Sequence, residues 1–121
     1  MFQASRSITS ALTALILGHA TASGNEPVSL EVDPAYCFAP CVVTISVGVE
    51  PHKADRQLTV EADSLQFYRS SVFDLEGDQE PVQHTVIWKS LPEGFYQIRA
   101  TLRRSDGDLR QASGKIRVIG P

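Results

Sequence analysis

The chain has 121 residues, of which 42% are hydrophobic and 21% are charged, and 11 basic against 14 acidic side chains give a formal net charge of −3. This composition is typical of one soluble globular domain. The negative charge argues against general nucleic-acid binding, which depends on an excess of Lys and Arg. A weakly acidic chain needs a local basic patch to attract any polyanion.

The first 22 residues have the pattern of a secretory signal peptide. Arg6 is the only charged side chain before Glu26, and an apolar stretch at residues 8–17 follows it. The sequence Ala-Thr-Ala at residues 20–22 supplies small side chains at the positions that a signal peptidase reads. The apolar run is about half of the ~20 residues that a membrane-spanning helix needs. We therefore predict cleavage after residue 22, a single mature domain at residues 23–121 without a membrane span, and a secreted or periplasmic location.

Apolar and polar residues alternate through most of the remaining chain, and Pro, Gly and Asp interrupt them at short intervals. Alternation with a period of two indicates strands with one buried face. Six or seven such strands separated by turns predict an all-β fold, an antiparallel β-sandwich. The alternating runs lie at residues 28–32, 43–49, 58–62, 86–88, 96–102 and 116–118. A less regular segment has the expected inward set Leu65, Phe67, Phe73 and Leu75.

One segment resembles a known structural family. Residues 91–100 read Leu-Pro-Glu-Gly-Phe-Tyr-Gln-Ile-Arg-Ala and resemble the turn and strand F of immunoglobulin-like and fibronectin type III-like domains. The Ala-Pro pair at residues 39–40 looks like the start of strand B in bacterial immunoglobulin-like and PKD-like modules. The resemblance implies an immunoglobulin-like sandwich of about seven strands, in which the Tyr96 hydroxyl bonds back to the main chain. Ile98 stands where antibody-type domains have a Cys, so their disulfide between the sheets is not expected.

The two cysteines, Cys37 and Cys41, are close in sequence. An even number of cysteines in an exported protein first suggests a disulfide, and Pro40 favours a compact bend between them. The alternative is a small copper-handling or redox protein, because two thiolates at this spacing can hold a soft ion. His52 and His84 would then have to approach the cysteines in space. The mature chain has no Met and no alternation of helices and strands, so we predict a structural disulfide and no metal or other cofactor.

Motifs of catalysis are incomplete in this sequence. Ser70, Ser71 and His84 include the residue types of a hydrolase triad, but no nucleophile elbow surrounds them. The acidic residues at 74–80 lack the ligand order of a calcium loop, and no Gly-rich phosphate loop follows a strand. We therefore predict that the protein is not an enzyme, and that it binds or scaffolds another macromolecule outside the cytoplasm. A further alternative is a carbohydrate-binding module with a flat platform of exposed aromatic residues such as Phe67, Tyr68 and Phe95.

Strand parity predicts a basic outer face on the last two strands, because their apolar residues point inward. The turn around residues 105–108 predicts a hairpin between them. Either a three-residue loop or a bulge at Gly114 would set Arg99 opposite Lys115. Glu61, outward on a neighbouring strand, is expected to neutralise part of this face, and we favour that interpretation over a binding role. If the protein binds an anionic protein or glycan, the predicted contact residues are Arg99, Arg103, Lys115 and Arg117.

Overall fold

The computed structural model of the protein describes residues 26–120, so the predicted signal peptide lies outside the described residues. A short 3-10 turn at Gly77–Gln79 follows the fifth of the eight strands in this range. Within the same range, no helix is long and apolar enough to cross a membrane. The strands are β1 (Val28–Asp33), β2 (Tyr36–Phe38), β3 (Cys41–Val49), β4 (Asp55–Asp63), β5 (Tyr68–Asp74), β6 (Gln83–Leu91), β7 (Gly94–Arg104) and β8 (Leu109–Ile119).

Two sheets form the fold. The smaller sheet has the strand order β1-β3-β6, and the larger has the order β2-β8-β7-β4-β5. Neighbouring strands are antiparallel, except that the short edge strand β2 runs parallel to β8. Apart from the short edge strand β2, this order matches the A-B-E and G-F-C-C′ orders of immunoglobulin-like sandwiches. The predicted all-β sandwich is confirmed.

The core lies between the two sheets and follows the alternation seen in the sequence. On β3, Val43, Ile45 and Val47 are completely buried, whereas the residues between them are partly exposed. The strands of the larger sheet contribute apolar side chains from the opposite side in the same way. Burying each aliphatic side chain stabilises the fold by about 1.5–3 kcal/mol relative to leaving it in water. Across the interior, the Trp88 indole donates a hydrogen bond of 3.3 Å to the Ser71 hydroxyl.

Leu65 lies at the tip of the turn between β4 and β5 and is fully exposed. The turn is closed by the main-chain N–H of Ser64, which donates to the carbonyl of Phe67 at 2.9 Å. Phe67 takes the inward position and packs edge-on against the ring of Tyr96, with 6.2 Å between ring centroids. The prediction that Leu65 belongs to the core is therefore wrong, because the turn rather than the alternation sets its direction.

The hairpin between β7 and β8 turns through a three-residue loop at residues 105–107, which is closed by a hydrogen bond of 2.9 Å from the Arg104 N–H to the Asp108 carbonyl. Its last residue, Gly107, has φ +90°, a conformation that only glycine adopts without strain. This loop sets Arg99 opposite Ser113, and the pairing runs on to the end of the hairpin without a bulge. The predicted pair of Arg99 with Lys115 is wrong by two residues, because the loop is centred one residue earlier than we expected.

Gly114 allows the two sheets to approach each other, instead of forming the predicted bulge. It faces the interior, opposite Ile98 of β7. A Cβ atom at this position would lie 3.2 Å from a methyl carbon of Leu30 and 3.3 Å from one of Val32. The absence of a side chain therefore lets β1 of the smaller sheet pack closely over β8.

Candidate functional site

Tyr96 anchors the start of β7. Its side chain is 2% exposed, and its hydroxyl donates a hydrogen bond of 2.6 Å to the carbonyl oxygen of Pro92. Burial raises the pKa of this phenol above its usual value. Gly94, at φ +153°, lets the chain turn close to the Tyr96 ring. We call this turn, residues 92–96 closed by the Tyr96 hydroxyl, the Tyr96 corner, and it fixes the direction of the outward side chain just before Tyr96, that of Phe95.

Cys37 and Cys41 form a disulfide, with 6.1 Å between their Cα atoms. Cys37 belongs to β2 in the larger sheet, whereas Cys41 begins β3 in the smaller sheet. The main-chain N–H of Ala39 also donates to the carbonyl of Ile119 at 2.7 Å. The disulfide thus ties the short edge strand β2 to the opposite sheet while β2 pairs with β8.

The cysteines and the histidines lie in different parts of the sandwich. Cys41 pairs with Leu91, and His84 stands seven residues earlier on the same strand, about 23 Å away at the usual rise. The His84 ring packs against Phe73, and its Nε2 is buried without a hydrogen bond. His52 is in the exposed loop between β3 and β4. Within residues 26–120, no three His, Cys, Asp or Glu side chains are grouped to hold a metal ion.

The predicted basic residue Arg99 is neutralised inside the sheet. Its Nε lies 3.1 Å from a carboxylate oxygen of Glu61, which stands directly opposite on β4. The Tyr68 hydroxyl donates a hydrogen bond of 2.6 Å to the other oxygen of Glu61. This hydrogen bond to the carboxylate raises the pKa of Tyr68. Arg99 therefore lies on the predicted face but has its charge already paired.

The other three predicted basic residues point outward but do not form a single patch. Arg103 pairs with Leu109 beside the hairpin loop, whereas Arg117 pairs with Phe95 at the far end of β7. Eight residues of β7 separate these two positions, about 26 Å at the usual rise. Lys115 is on the same side of β8 as Arg117, two residues away. The structure thus brings Lys115 and Arg117 together and separates them from Arg103.

Exposed aromatic side chains lie beside Arg117. Tyr36, Arg117 and Phe95 form one row across β2, β8 and β7. The guanidinium carbon of Arg117 lies 4.7 Å from the centroid of the Phe95 ring, which is a cation–π contact. Tyr36 is 59% exposed, and Phe38 and Phe95 are each 71% exposed. We call Tyr36, Phe38, Phe95 and Arg117 the aromatic–arginine cluster, since contiguous exposed apolar surface marks interaction sites.

An open groove of about 570 Å³ lies next to the aromatic–arginine cluster, with Leu65 among its lining residues. Asp63, Gln97 and Lys115 line it and stand opposite one another on β4, β7 and β8, and we call them the polar row. In the described part of the chain, neither Lys115 nor Arg117 makes an ion pair. Two cations are therefore available to a ligand at this end of the larger sheet.

The predicted platform of Phe67, Tyr68 and Phe95 is not formed. Phe67 is partly buried, and Tyr68 lies on β5, on the far side of β4 from Phe95. The exposed rings near Phe95 are those of Tyr36 and Phe38. Strand parity predicts that Tyr36 and Phe38 point outward, because they flank an inward Cys37. It does not predict that they lie near Phe95, because that depends on the position of β2 in the sheet.

Solved structures share this architecture. Superoxide reductase (neelaredoxin) from Ignicoccus hospitalis superposes with a TM-score of 0.59 at 15% sequence identity, covering 74% of this chain and 80% of that chain. The PmoD soluble domain from a Methylocystis species superposes with a TM-score of 0.51 at 16% identity, covering 78% of this chain and 93% of that one. No protein-family model matches the chain. No curated protein matches it either.

The comparison with superoxide reductase overturns the prediction that the protein is not an enzyme. That prediction depended on the lack of short motifs, but one fold can host many functions, and catalytic groups on separate strands leave no short motif. At 15–16% identity the likeness concerns architecture alone. The chain therefore shares the β-sandwich fold of these proteins.

Proposed function

We propose that the protein is an exported β-sandwich module that binds an anionic macromolecule outside the cytoplasm through the outer face of its larger sheet. The observation that carries this proposal is the aromatic–arginine cluster, whose Arg117 makes no ion pair among the described residues and which lies beside Lys115 and an open groove. Export is supported by the signal-like sequence at residues 1–22 and by the disulfide, because disulfides persist in oxidising compartments.

The chemistry of the cluster suits an interface. Aromatic residues and Arg are enriched among the residues that carry binding energy, whereas most other surface residues contribute little. The Arg117 guanidinium carbon lies 4.7 Å from the centroid of the Phe95 ring. Its planar N–H donors can bind a carboxylate with two parallel hydrogen bonds. Lys115 adds a second positive charge on the same side of β8.

The remainder of the predicted basic face contributes less to this proposal. An anion at Arg99 would have to compete with Glu61, which already accepts hydrogen bonds from Arg99 and Tyr68. Arg103 is too distant from Arg117 for a small ligand to touch both. Binding is thus expected at one end of the face only.

Nuclear magnetic resonance can test the proposal without a known ligand. Backbone amide signals of the purified protein are followed during titration with polyglutamate, polygalacturonate and neutral dextran. We expect at least one of the two anionic polymers to shift the amide signals of Phe95, Lys115 and Arg117. The shifts should weaken with added salt, because the screening length falls from about 10 Å at 0.1 M to about 3 Å at 1 M.

Two results would overturn the proposal. One is a titration in which neither anionic polymer shifts any signal. The other is a set of shifts centred on Ile87, which is exposed on the outer face of the smaller sheet. A matched pair of variants gives the control: Arg117→Gln should abolish the shifts, whereas Arg103→Gln removes the same charge at the far end and should leave them unchanged.

The disulfide supports a second candidate function, in thiol–disulfide exchange. Cys41 is 3% exposed, whereas Cys37 is only partly buried on the edge strand β2, and exchange requires a thiolate to reach one of the two sulfur atoms. Reduction would consume two electrons and two protons and give two thiols. Mass spectrometry after native alkylation, in a glutathione buffer series, measures whether folded protein is reduced. Reversible reduction without unfolding would support this role, and reduction only of unfolded protein would exclude it.

A further inference from the structure

We infer that the ligand of the aromatic–arginine cluster is an acidic glycan, a polysaccharide whose sugar rings carry carboxylates. This inference rests on the proposed function and narrows its partner to one chemical class. It follows from the way in which the aromatic–arginine cluster and the polar row lie side by side.

The two sets of side chains are close enough for one ligand to contact both. Phe95 and Gln97 are two residues apart on β7, and Arg117 and Lys115 are two residues apart on β8, so about 7 Å separates the rows. Both rows cross the larger sheet at right angles to its strands. A chain-like ligand that runs across the strands would therefore have one edge on the aromatic rings and the other on the polar row.

The aromatic–arginine cluster beside the groove suits sugar rings. Tyr36 and Phe95 are separated by two strand spacings, about 10 Å, with Arg117 between them. The C–H faces of a pyranose are apolar and lose water favourably when they pack on an aromatic ring. The positions of the two rings allow an extended glycan to place successive sugars on Tyr36 and on the face of Phe95 that Arg117 does not cover.

The charged residues that line the groove determine which kind of glycan fits. Arg117 and Lys115 favour an anionic group, but Asp63 lines the same groove. Its carboxylate, when ionised, accepts hydrogen bonds and repels a second anion. A uronic acid fits, because one ring carries a carboxylate for the cations and hydroxyls that can donate to Asp63. A polyglutamate segment has carboxylates without hydroxyls and would bring negative charge against Asp63.

The main chain of β7 offers nothing to a peptide. β7 pairs with β8 on one side and with β4 on the other, so its ladder groups are occupied, whereas β2 is a sheet edge and covers β8 only at residues 117–119. Peptides that bind by strand addition need an open sheet edge. A ligand that lies across β7 must therefore be recognised by side chains, which suits a molecule with many hydroxyls better than a peptide that adds as a strand at the sheet edge.

Isothermal titration calorimetry of the purified protein tests the inference with three probes: a galacturonate tetrasaccharide, a neutral galactose tetrasaccharide and a glutamate hexapeptide. We expect the acidic tetrasaccharide to bind at least about tenfold more tightly than either other probe, as one charge-assisted hydrogen-bonded pair would give. Arg117→Gln should remove that advantage. Arg103→Gln, the matched control, should keep it.

Two further variants separate the contributions of the rows. Phe95→Leu keeps an exposed apolar side chain but removes the ring, so affinity for both tetrasaccharides should fall about threefold or more. Asp63→Asn removes the repulsive charge, so the glutamate hexapeptide should bind more tightly to this variant than to the unchanged protein. The amide spectrum of each variant verifies that the sandwich is intact.

Each contrary outcome has its own meaning. Tighter binding of the glutamate hexapeptide than of the acidic tetrasaccharide, with shifts at the same amides, would overturn the glycan inference and leave the proposed function in place. Equal affinity for the neutral and acidic tetrasaccharides would also overturn it. A lack of binding by all three probes, together with no response to either anionic polymer, would overturn both.

Discussion

Replacing Asp55 with Ala should destabilise the fold more than any single change on the outer face. Asp55 is 1% exposed at the start of β4. One of its oxygens accepts a hydrogen bond of 3.1 Å from Arg104, and the other accepts one of 3.0 Å from the main-chain N–H of His52. The Arg104 side chain is itself only 11% exposed. The substitution therefore leaves a guanidinium and an N–H without their carboxylate where water has little access.

The magnitude can be estimated from these contacts. Removing one member of a buried ion pair costs about 3–5 kcal/mol, because the other charge is left uncompensated. Arg104 keeps a second, longer contact of 3.5 Å to Asp108, so the lower end of this range, about 3 kcal/mol, applies to Asp55→Ala. A domain of this size is expected to have about 5–15 kcal/mol of total stability, so the loss should be a large fraction.

Urea denaturation followed by the fluorescence of Trp88, the single tryptophan, measures the effect. Asp108→Ala is the matched control, since it removes the other carboxylate beside Arg104 from a side chain that is 38% exposed, and it should cost less than about 1 kcal/mol. If Asp55→Ala does not fold, Asp55→Asn retains the shape and one acceptor and should give an intermediate loss. Equal effects of the Asp55 and Asp108 substitutions would refute the reasoning.

Three more predictions concern the corner, the disulfide and the N-terminus. Tyr96→Phe leaves the carbonyl of Pro92 without its donor and should cost about 1–3 kcal/mol in urea denaturation. Burial raises the pKa of Tyr96, so the stabilisation that the neutral phenol contributes is complete below pH 10.0 and is lost as the pH rises through the raised pKa. The melting temperature of the unchanged protein should therefore fall more steeply at alkaline pH than that of Tyr96→Phe. Replacing Cys37 and Cys41 with Ser should cost about 2 kcal/mol by the chain-entropy estimate for a five-residue loop, and an unaltered denaturation midpoint would argue against a structural role. N-terminal sequencing of exported protein should begin at Ser23, and a sequence that begins with the initiating methionine would contradict the signal peptide.

Local patterns predicted the core well, since alternation alone identifies the buried side of a strand such as β3. The same patterns did not predict Leu65 correctly, because the hydrogen bonds of a tight turn decide which residue leaves the strand. The register of the β7–β8 hairpin depended on which loop residue adopts a positive φ, and Gly107 satisfies that requirement. In both places, turn geometry overrides a pattern that is correct along the neighbouring strands.

The candidate site was harder to predict because it depends on contacts between distant parts of the chain. Tyr36 and Arg117 are 81 residues apart in sequence, and only the parallel pairing of β2 with β8 makes them neighbours. The sequence predicted Arg99 and Arg103 as contact residues on the same grounds as Arg117, although Glu61 lies opposite Arg99. Burial and pairing in three dimensions, which the sequence does not show directly, separate the available cations from the neutralised one.

The features that stabilise the sandwich also hold the aromatic–arginine cluster in place. The disulfide fixes β2, which carries Tyr36 and Phe38, and the Tyr96 corner fixes the start of β7, which carries Phe95. β8, with Arg117, is hydrogen-bonded on both sides between them. A site whose side chains are held by separate parts of the fold loses little conformational entropy when it binds. Loss of the disulfide should therefore affect the cluster beyond its effect on stability, because it frees the edge strand that supplies two of the three exposed rings.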